Sequence, residues 1–201
     1  MDWSHHKRQI FLYLHAAHMF RNARSMCEFV RVNLLSELQP AYTAMMTGVV
    51  VNYAKPFANN SGFGQLPGSF RKFEKSELKW IHDRLLEARD RLYAHLDIAG
   101  PMKTEGRAYD VHLHVRIRDG ERHFWPRLYE YFIKTESIGW TEEACTLGMQ
   151  RAEVESQRLV RELMKDGPET EGNYDLVLEG DDRGVVRSPD QTPIRWPGDP
   201  Q

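Results

Sequence analysis

Apolar and polar positions alternate along this chain with a period that changes part-way, dividing it into helical stretches, one region of strand and a tail. Over residues 7–38 apolar side chains recur at steps of three and four: Tyr13, Ala16, Phe20, Ala23, Cys27, Val30 and Leu34. That spacing places them on one seam of a helix, and Ile10, Leu14 and Ala17 widen the seam at its start. At 1.5 Å per residue such a helix is about 45 Å long, enough for one edge of a bundle or an interface with a second copy. Pro40 is expected to end it. Residues 41–54 form a second helical stretch, apolar on most sides and so expected to be central, closed by Pro56. Residues 59–69 are rich in turn formers and read as a loop pinned by Phe63 and Leu66. Gly62-Phe63-Gly64 lacks the Gly-Lys-Ser/Thr ending and the preceding strand of a phosphate loop, so it reads as a plain connection.

Residues 77–97 make the most distinctive helix. Leu78, Ile81, Leu85, Ala88, Leu92 and Leu96 form its apolar stripe, Ser76 is placed to cap it, and Gly100-Pro101 stops it. Its other positions carry His82, Asp83, Glu87, Arg89, Asp90, Arg91 and His95, a high density of groups able to hold charge or move protons. The period then switches to two. Tyr109 to Arg118 alternates polar and apolar residues, Asp119-Gly120 is a strong hairpin turn, and Arg122 to Trp125 returns before Pro126. Val111, Leu113, Val115 and Ile117 are expected to face the bundle. Thr141 is expected to cap a last helix running to about residue 166, with Cys145, Met149, Ala152, Leu159 and Leu163 on its buried face. Residues 167–201 hold five of the ten prolines, which reads as an extension. Within it, 174–178 could add a strand to the hairpin sheet, and a flexible tail is expected from Ser188 onward.

The pattern therefore predicts a mainly α fold, an up-and-down helical bundle of about four helices with a small inserted β-hairpin near 109–125. One domain spans 1–166, followed by the extension. At 201 residues the chain can bury a sizeable core. The net charge of −2 argues against a surface that binds nucleic acid everywhere but leaves room for a local basic site. Cys27 and Cys145 make no disulfide framework and read as small buried residues in a reducing compartment. His15, His18 and Arg21 interrupt the apolar run after Lys7 and Arg8, so that segment reads as helix rather than leader. No later apolar run is long enough to span a bilayer, and a soluble cytoplasmic protein without a membrane partner is expected.

Two groups of residues could carry chemistry. The first is Arg89, Asp90 and His95, with Arg91 beside them. An imidazole can accept or donate a proton near neutral pH, and an arginine can bind a phosphate and stabilise charge developing on it. The second is the strip His112, His114, Arg116, Arg118 and Arg122, which could contact RNA phosphates or form a plain exposed sheet face. The pairs His112/His114, His15/His18 and His5/His6 lack the further convergent ligands of a zinc site, so no metal and no cofactor is assigned. His82 and Asp83 lie more than three turns before His95 and read as helix-surface or inter-helix contacts.

A bundle whose late core helix carries Arg89-Asp90-Arg91-Leu92-Tyr93-Ala94-His95 resembles the HEPN superfamily (higher eukaryotes and prokaryotes nucleotide-binding). Five residues separate Arg89 from His95, within that family's four to six. Tyr53-Ala54-Lys55-Pro56-Phe57 ahead of the helix, and Ala94-His95-Leu96-Asp97 at its end, resemble a group of uncharacterised bacterial HEPN-like bundles; the likeness covers roughly residues 8–97. It implies metal-independent RNA cleavage at a composite homodimer site, with His95 moving protons, Arg89 on the scissile phosphate and Asp90 orienting a neighbour. It also implies a toxin or defence setting, with an antitoxin as partner. The competing reading is a non-catalytic helical dimerisation or RNA-binding module, in which Glu87, Arg91 and His95 form a surface ladder and Arg89 pairs with a carboxylate. On one straight α-helix Arg89 and His95 stand about 120° apart, so catalysis requires a local break or a second subunit.

Overall fold

A computed structural model describes residues 3–33, 40–59, 64–90, 101–102, 107–108, 112–127, 133–165, 175–178, 184–187 and 193–194. Four helices carry the fold: α1 (Trp3–Val32), α2 (Pro40–Ala54), α3 (Ser76–Ala88) and α4 (Ile138–Met164). Short 3-10 turns at Lys55–Phe57, Gly68–Arg71 and Thr135–Ser137 lead out of α2 and into α3 and α4. Between α3 and α4 in sequence, β1 (Pro101–Met102) pairs with β2 (Arg107–Ala108), and β3 (His112–Arg118) pairs with β4 (Glu121–Arg127), both antiparallel. After α4, β5 (Asp175–Leu178), β6 (Gly184–Arg187) and β7 (Pro193–Ile194) form a three-stranded antiparallel meander. The architecture is thus mainly α with a small hairpin, as the periodicity predicts.

The long pair α1 and α4 forms the spine. Tyr13, Ala16, Phe20, Ala23, Cys27 and Val30 of the α1 seam are all buried, and α4 answers with Ala144, Cys145, Ala152, Leu159 and Leu163. Gly148 lets the helices close on each other, because a Cβ there would stand 2.9 Å from the Phe20 ring. Arg21 reaches Glu153 at 2.7 Å and Arg31 reaches Glu142 at 3.2 Å. Numbers fall along α4 as they rise along α1, so the two run antiparallel. Both ion pairs are exposed and contribute at most about 1 kcal/mol each. Burial of the seam dominates. Tyr42, Met46, Val49 and Tyr53 of α2 and Leu78, Ile81 and Leu85 of α3 complete the core.

Several local expectations are corrected. Leu14 is 48% exposed, since it lies on the outer side of α1 while Ile10 and Ala17 turn inward. Pro40 opens α2 instead of closing α1; its fixed φ and missing N–H suit a first helical turn. Val51, 42% exposed, gives α2 an outer side, although Tyr42, Met46, Val49, Val50 and Tyr53 are buried. Lys75 holds the cap position of α3, and Ser76 Oγ instead donates to Glu77 Oε2 at 3.0 Å. α4 starts at Ile138, and Thr141 Oγ1 donates back to the Ser137 carbonyl at 2.9 Å. Leu66 is buried and its N–H meets the Pro56 carbonyl at 2.8 Å, while Phe63 and Leu34 lie outside the described residues.

The hairpin turn forms as the Asp-Gly pair predicts, with φ of 53° at Asp119 and 81° at Gly120, the two positive values of a type I′ turn. Ile117, expected to face the bundle, is 67% exposed. Residues 116–122 are exposed on both faces, so the turn end of the ribbon stands off the bundle. Pro126 does not end the return strand but pairs with Leu113 inside it. The segment at 175–178 pairs with β6 and not with the hairpin.

Candidate functional site at the end of the third helix

The stripe of α3 begins at Leu78 and runs through Ile81, His82, Leu85 and Ala88, all buried. His82 therefore occupies a core position, four residues after Leu78 and three before Leu85, and only 1% of it is exposed. Its Nδ1 lies 3.0 Å from the Tyr53 hydroxyl on α2. Phe57 meets the imidazole edge-to-face at 4.8 Å, and Phe73 lies 5.2 Å away. Burial lowers the imidazole pKa to about 4, against a smaller opposing pull from the Asp83 carboxylate. Tyr53, wholly enclosed, has its hydroxyl pushed well above the ordinary phenol value, again by burial. The pair is neutral. Among the described residues Nε2 has no hydrogen-bond partner. Asp83 is half-buried at the surface and accepts from Lys79 one turn earlier. Of the two contacts expected, His82 makes the inter-helix one, to Tyr53, and its place in the stripe is the signal that puts it in the core.

Arg89 extends the same side of α3, two turns beyond His82. It is the C-terminal cap, still helical at φ −58° and ψ −49°, and its N–H is shared between the Leu85 and Leu86 carbonyls. Residues 89–90 are wound in the wider π form, a local expansion by one residue per turn that recurs at functional sites. Arg89 Nη1 donates to Asp90 Oδ1 at 2.6 Å, and the two side chains are 36% and 62% exposed. Of the residues assigned to the site, these two are brought together. Arg91 and His95 lie outside the described residues.

The second group lies on the hairpin. The register pairs His112 with Arg127, His114 with Trp125, Arg116 with His123 and Arg118 with Glu121. Paired residues of an antiparallel ribbon share a face, so His112, His114, Arg116 and Arg118 are on one face, as the alternation predicts. Arg122 is not with them: it pairs with Ile117, on the opposite face.

Elsewhere, Cys27 and Cys145 are buried free thiols; burial raises the first to about 12 and pushes the second well above the ordinary thiol value. A shallow pocket of about 350 Å3 between the Gly68–Arg71 turn and α4 is lined by Ser69, Phe70, Gln150, Arg151, Val154 and Glu155, none of them assigned above. Among the described residues no group of three or more His, Cys, Asp or Glu side chains could hold a metal ion, and no helix is long and apolar enough to cross a membrane. Comparison with protein-family models, with curated proteins and with solved structures found no match for this chain.

Proposed function

We propose that the chain is a HEPN-like bundle that acts on RNA as a homodimer, cutting it without a metal. The observation that supports this most is the placement of Arg89 with Asp90, at a widened turn that follows a buried helical stripe. One guanidinium N–H is engaged by the Asp90 carboxylate, which fixes the orientation of a group that has five donors in all. The others can bind a phosphate bidentately. His95 supplies the proton transfers: an imidazole takes the proton of the ribose 2′-OH as its oxygen attacks the adjacent phosphorus. An imidazolium, from His95 of the partner subunit, protonates the departing 5′-oxygen. The products are a 2′,3′-cyclic phosphate and a 5′-hydroxyl, and Arg89 stabilises the charge gathered on the phosphoryl oxygens. A dimer answers the angular separation of Arg89 and His95, because each group can complete the other copy's site. The setting proposed with it is a cytoplasmic toxin or defence system, with a protein antitoxin covering the site.

A second reading, a non-catalytic dimerisation or RNA-binding module, is favoured by the same Arg89–Asp90 ion pair, since the guanidinium already has a carboxylate partner. Incubation of the purified chain with varied RNAs in EDTA, beside R89A and H95A, separates the two. Cleavage that leaves 2′,3′-cyclic ends and is lost in both variants supports the nuclease. A folded dimer that cuts none of them refutes it.

A further inference from the structure

The β3–β4 ribbon has two chemically distinct faces. Positions 113, 115 and 117 of β3 pair with 126, 124 and 122 of β4, a face that is apolar except for Arg122. The other face carries no aliphatic residue. Arg116, Arg118 and Arg127 set three guanidinium-bearing positions there against one carboxylate, Glu121. His112, His114 and His123 add three histidine positions, and Trp125 holds the register position opposite His114. Arg116 and Arg118 are exposed, and the ion pair that Arg118 makes with Asp119, at 3.5 Å between side chains 70% and 89% exposed, is too solvated to neutralise it. The whole chain has a net charge of −2, so this face concentrates positive charge that the rest of the sequence offsets.

We infer that this face of the hairpin binds single-stranded RNA, independently of the Arg89 site, with Arg116, Arg118 and Arg127 on phosphates and Trp125 stacked on a base. Charge complementarity identifies the polyanion, and the indole identifies unpaired bases: a base can stack on it only when unpaired and splayed out. The deep, narrow major groove of an RNA duplex does not admit such a ribbon. Successive same-face positions lie about 6.8 Å apart along the strand, at 3.4 Å per residue. The arginine positions are thereby spread along the ribbon as a track. The choice of RNA over other single strands rests on the proposed function; the face itself does not.

Because Arg122 carries the same charge at the same turn on the opposite face, it is an internal control. A fluorescein-labelled oligouridylate of about 20 nucleotides, longer than the roughly 4–16 nucleotides a small module covers, is titrated with the full chain by anisotropy from about 50 to about 200 mM salt. R116Q/R118Q is expected to weaken binding about tenfold at low salt. It should also flatten the slope of log K against log salt by about 1.4, or about 0.7 for each phosphate no longer neutralised. R122Q is expected to stay within about twofold of the wild type, and W125A to bind about tenfold more weakly with an unchanged salt slope. Equal weakening by R122Q and R116Q/R118Q would overturn the inference, as would no weakening by either. Competition by polyglutamate as effective as that by unlabelled RNA would overturn it too, by making the face a site for any acidic chain. Binding is read by anisotropy and cleavage by the ends of the RNA, so the two outcomes are scored separately. Tight binding by a chain that never cleaves RNA therefore refutes the nuclease and leaves the hairpin standing, whereas cleavage with no hairpin dependence of binding does the reverse.

Discussion

Replacing His82 with asparagine should remove a specific part of the acid sensitivity of this fold. Burial holds the His82 imidazole at about 4, while the unfolded chain titrates it near the ordinary 6.5. Above about pH 6.5 the imidazole is neutral in both states and costs nothing. As pH falls, the unfolded state takes up the proton first, so stability is lost from about 6.5 down to the folded value near 4, and the loss is then complete at roughly 3 kcal/mol. Near pH 5 about 2 kcal/mol of that is already gone. Asparagine keeps an acceptor close to the position of Nδ1, so the Tyr53 hydroxyl, 3.0 Å away, retains a partner. The cavity it leaves among Phe57 and Phe73 costs the same at every pH and cancels when each protein is compared with itself. Urea unfolding at about pH 7.5 and about pH 5 gives the two differences, and the wild type should lose about 2 kcal/mol more than H82N. Equal losses, or an imidazole NMR titration placing His82 above about pH 6, would show that the ring is not enclosed as described.

Two glycines of α4 should respond oppositely to alanine. Gly148→Ala drives a Cβ to 2.9 Å from Phe20. The overpacking cost of about 1–3 kcal/mol outweighs the roughly 1 kcal/mol gained in helix propensity, and the melting temperature falls. Gly139→Ala meets nothing within 4 Å, so only the propensity gain remains and the melting temperature rises or holds; a fall as large as that of Gly148→Ala would discredit the close approach of α1 and α4. Cys27, buried and raised to about 12, should stay unmodified by a thiol-specific disulfide reagent in the native protein at about pH 8 and react fully in denaturant. Fast native labelling would mean that the seam opens.

The features legible in the sequence are those that repeat. The α1 seam recurs over five turns, and every described member is buried. The hairpin turn follows from a dipeptide whose two positions accept positive φ. What cannot be read locally depends on partners distant in sequence. The flank of the seam that faces outward, and with it the exposure of Leu14, is decided by where α2 and α4 lie. His82 is legible as a stripe position, but its partner Tyr53 is 29 residues earlier on another helix, and no local pattern links them. Thr141 followed by two glutamates resembles a cap, yet a hydroxyl can equally bond the carbonyl four residues back once the helix begins earlier. Arg122 belongs with Arg116 by composition, although a two-residue turn already forces it to the other face. Arg89 and Asp90 stand out because their charge density on a core helix is unusual. Their widened turn is set by backbone hydrogen bonding that side-chain periodicity does not reveal.

The antiparallel spine also has a consequence in time. Arg21 and Glu153, which meet across it, are 132 residues apart. At ribosomal rates of about 5–20 residues per second, the Arg21 end of this contact is made roughly 7–26 s before the Glu153 end. Throughout that interval the seam can be covered only in part, by α2 and the Lys55–Phe57 turn. The seam that holds the finished molecule together is thus an adhesive surface on the nascent chain. Of the four helices described, the earliest made waits for the latest made to cover its seam.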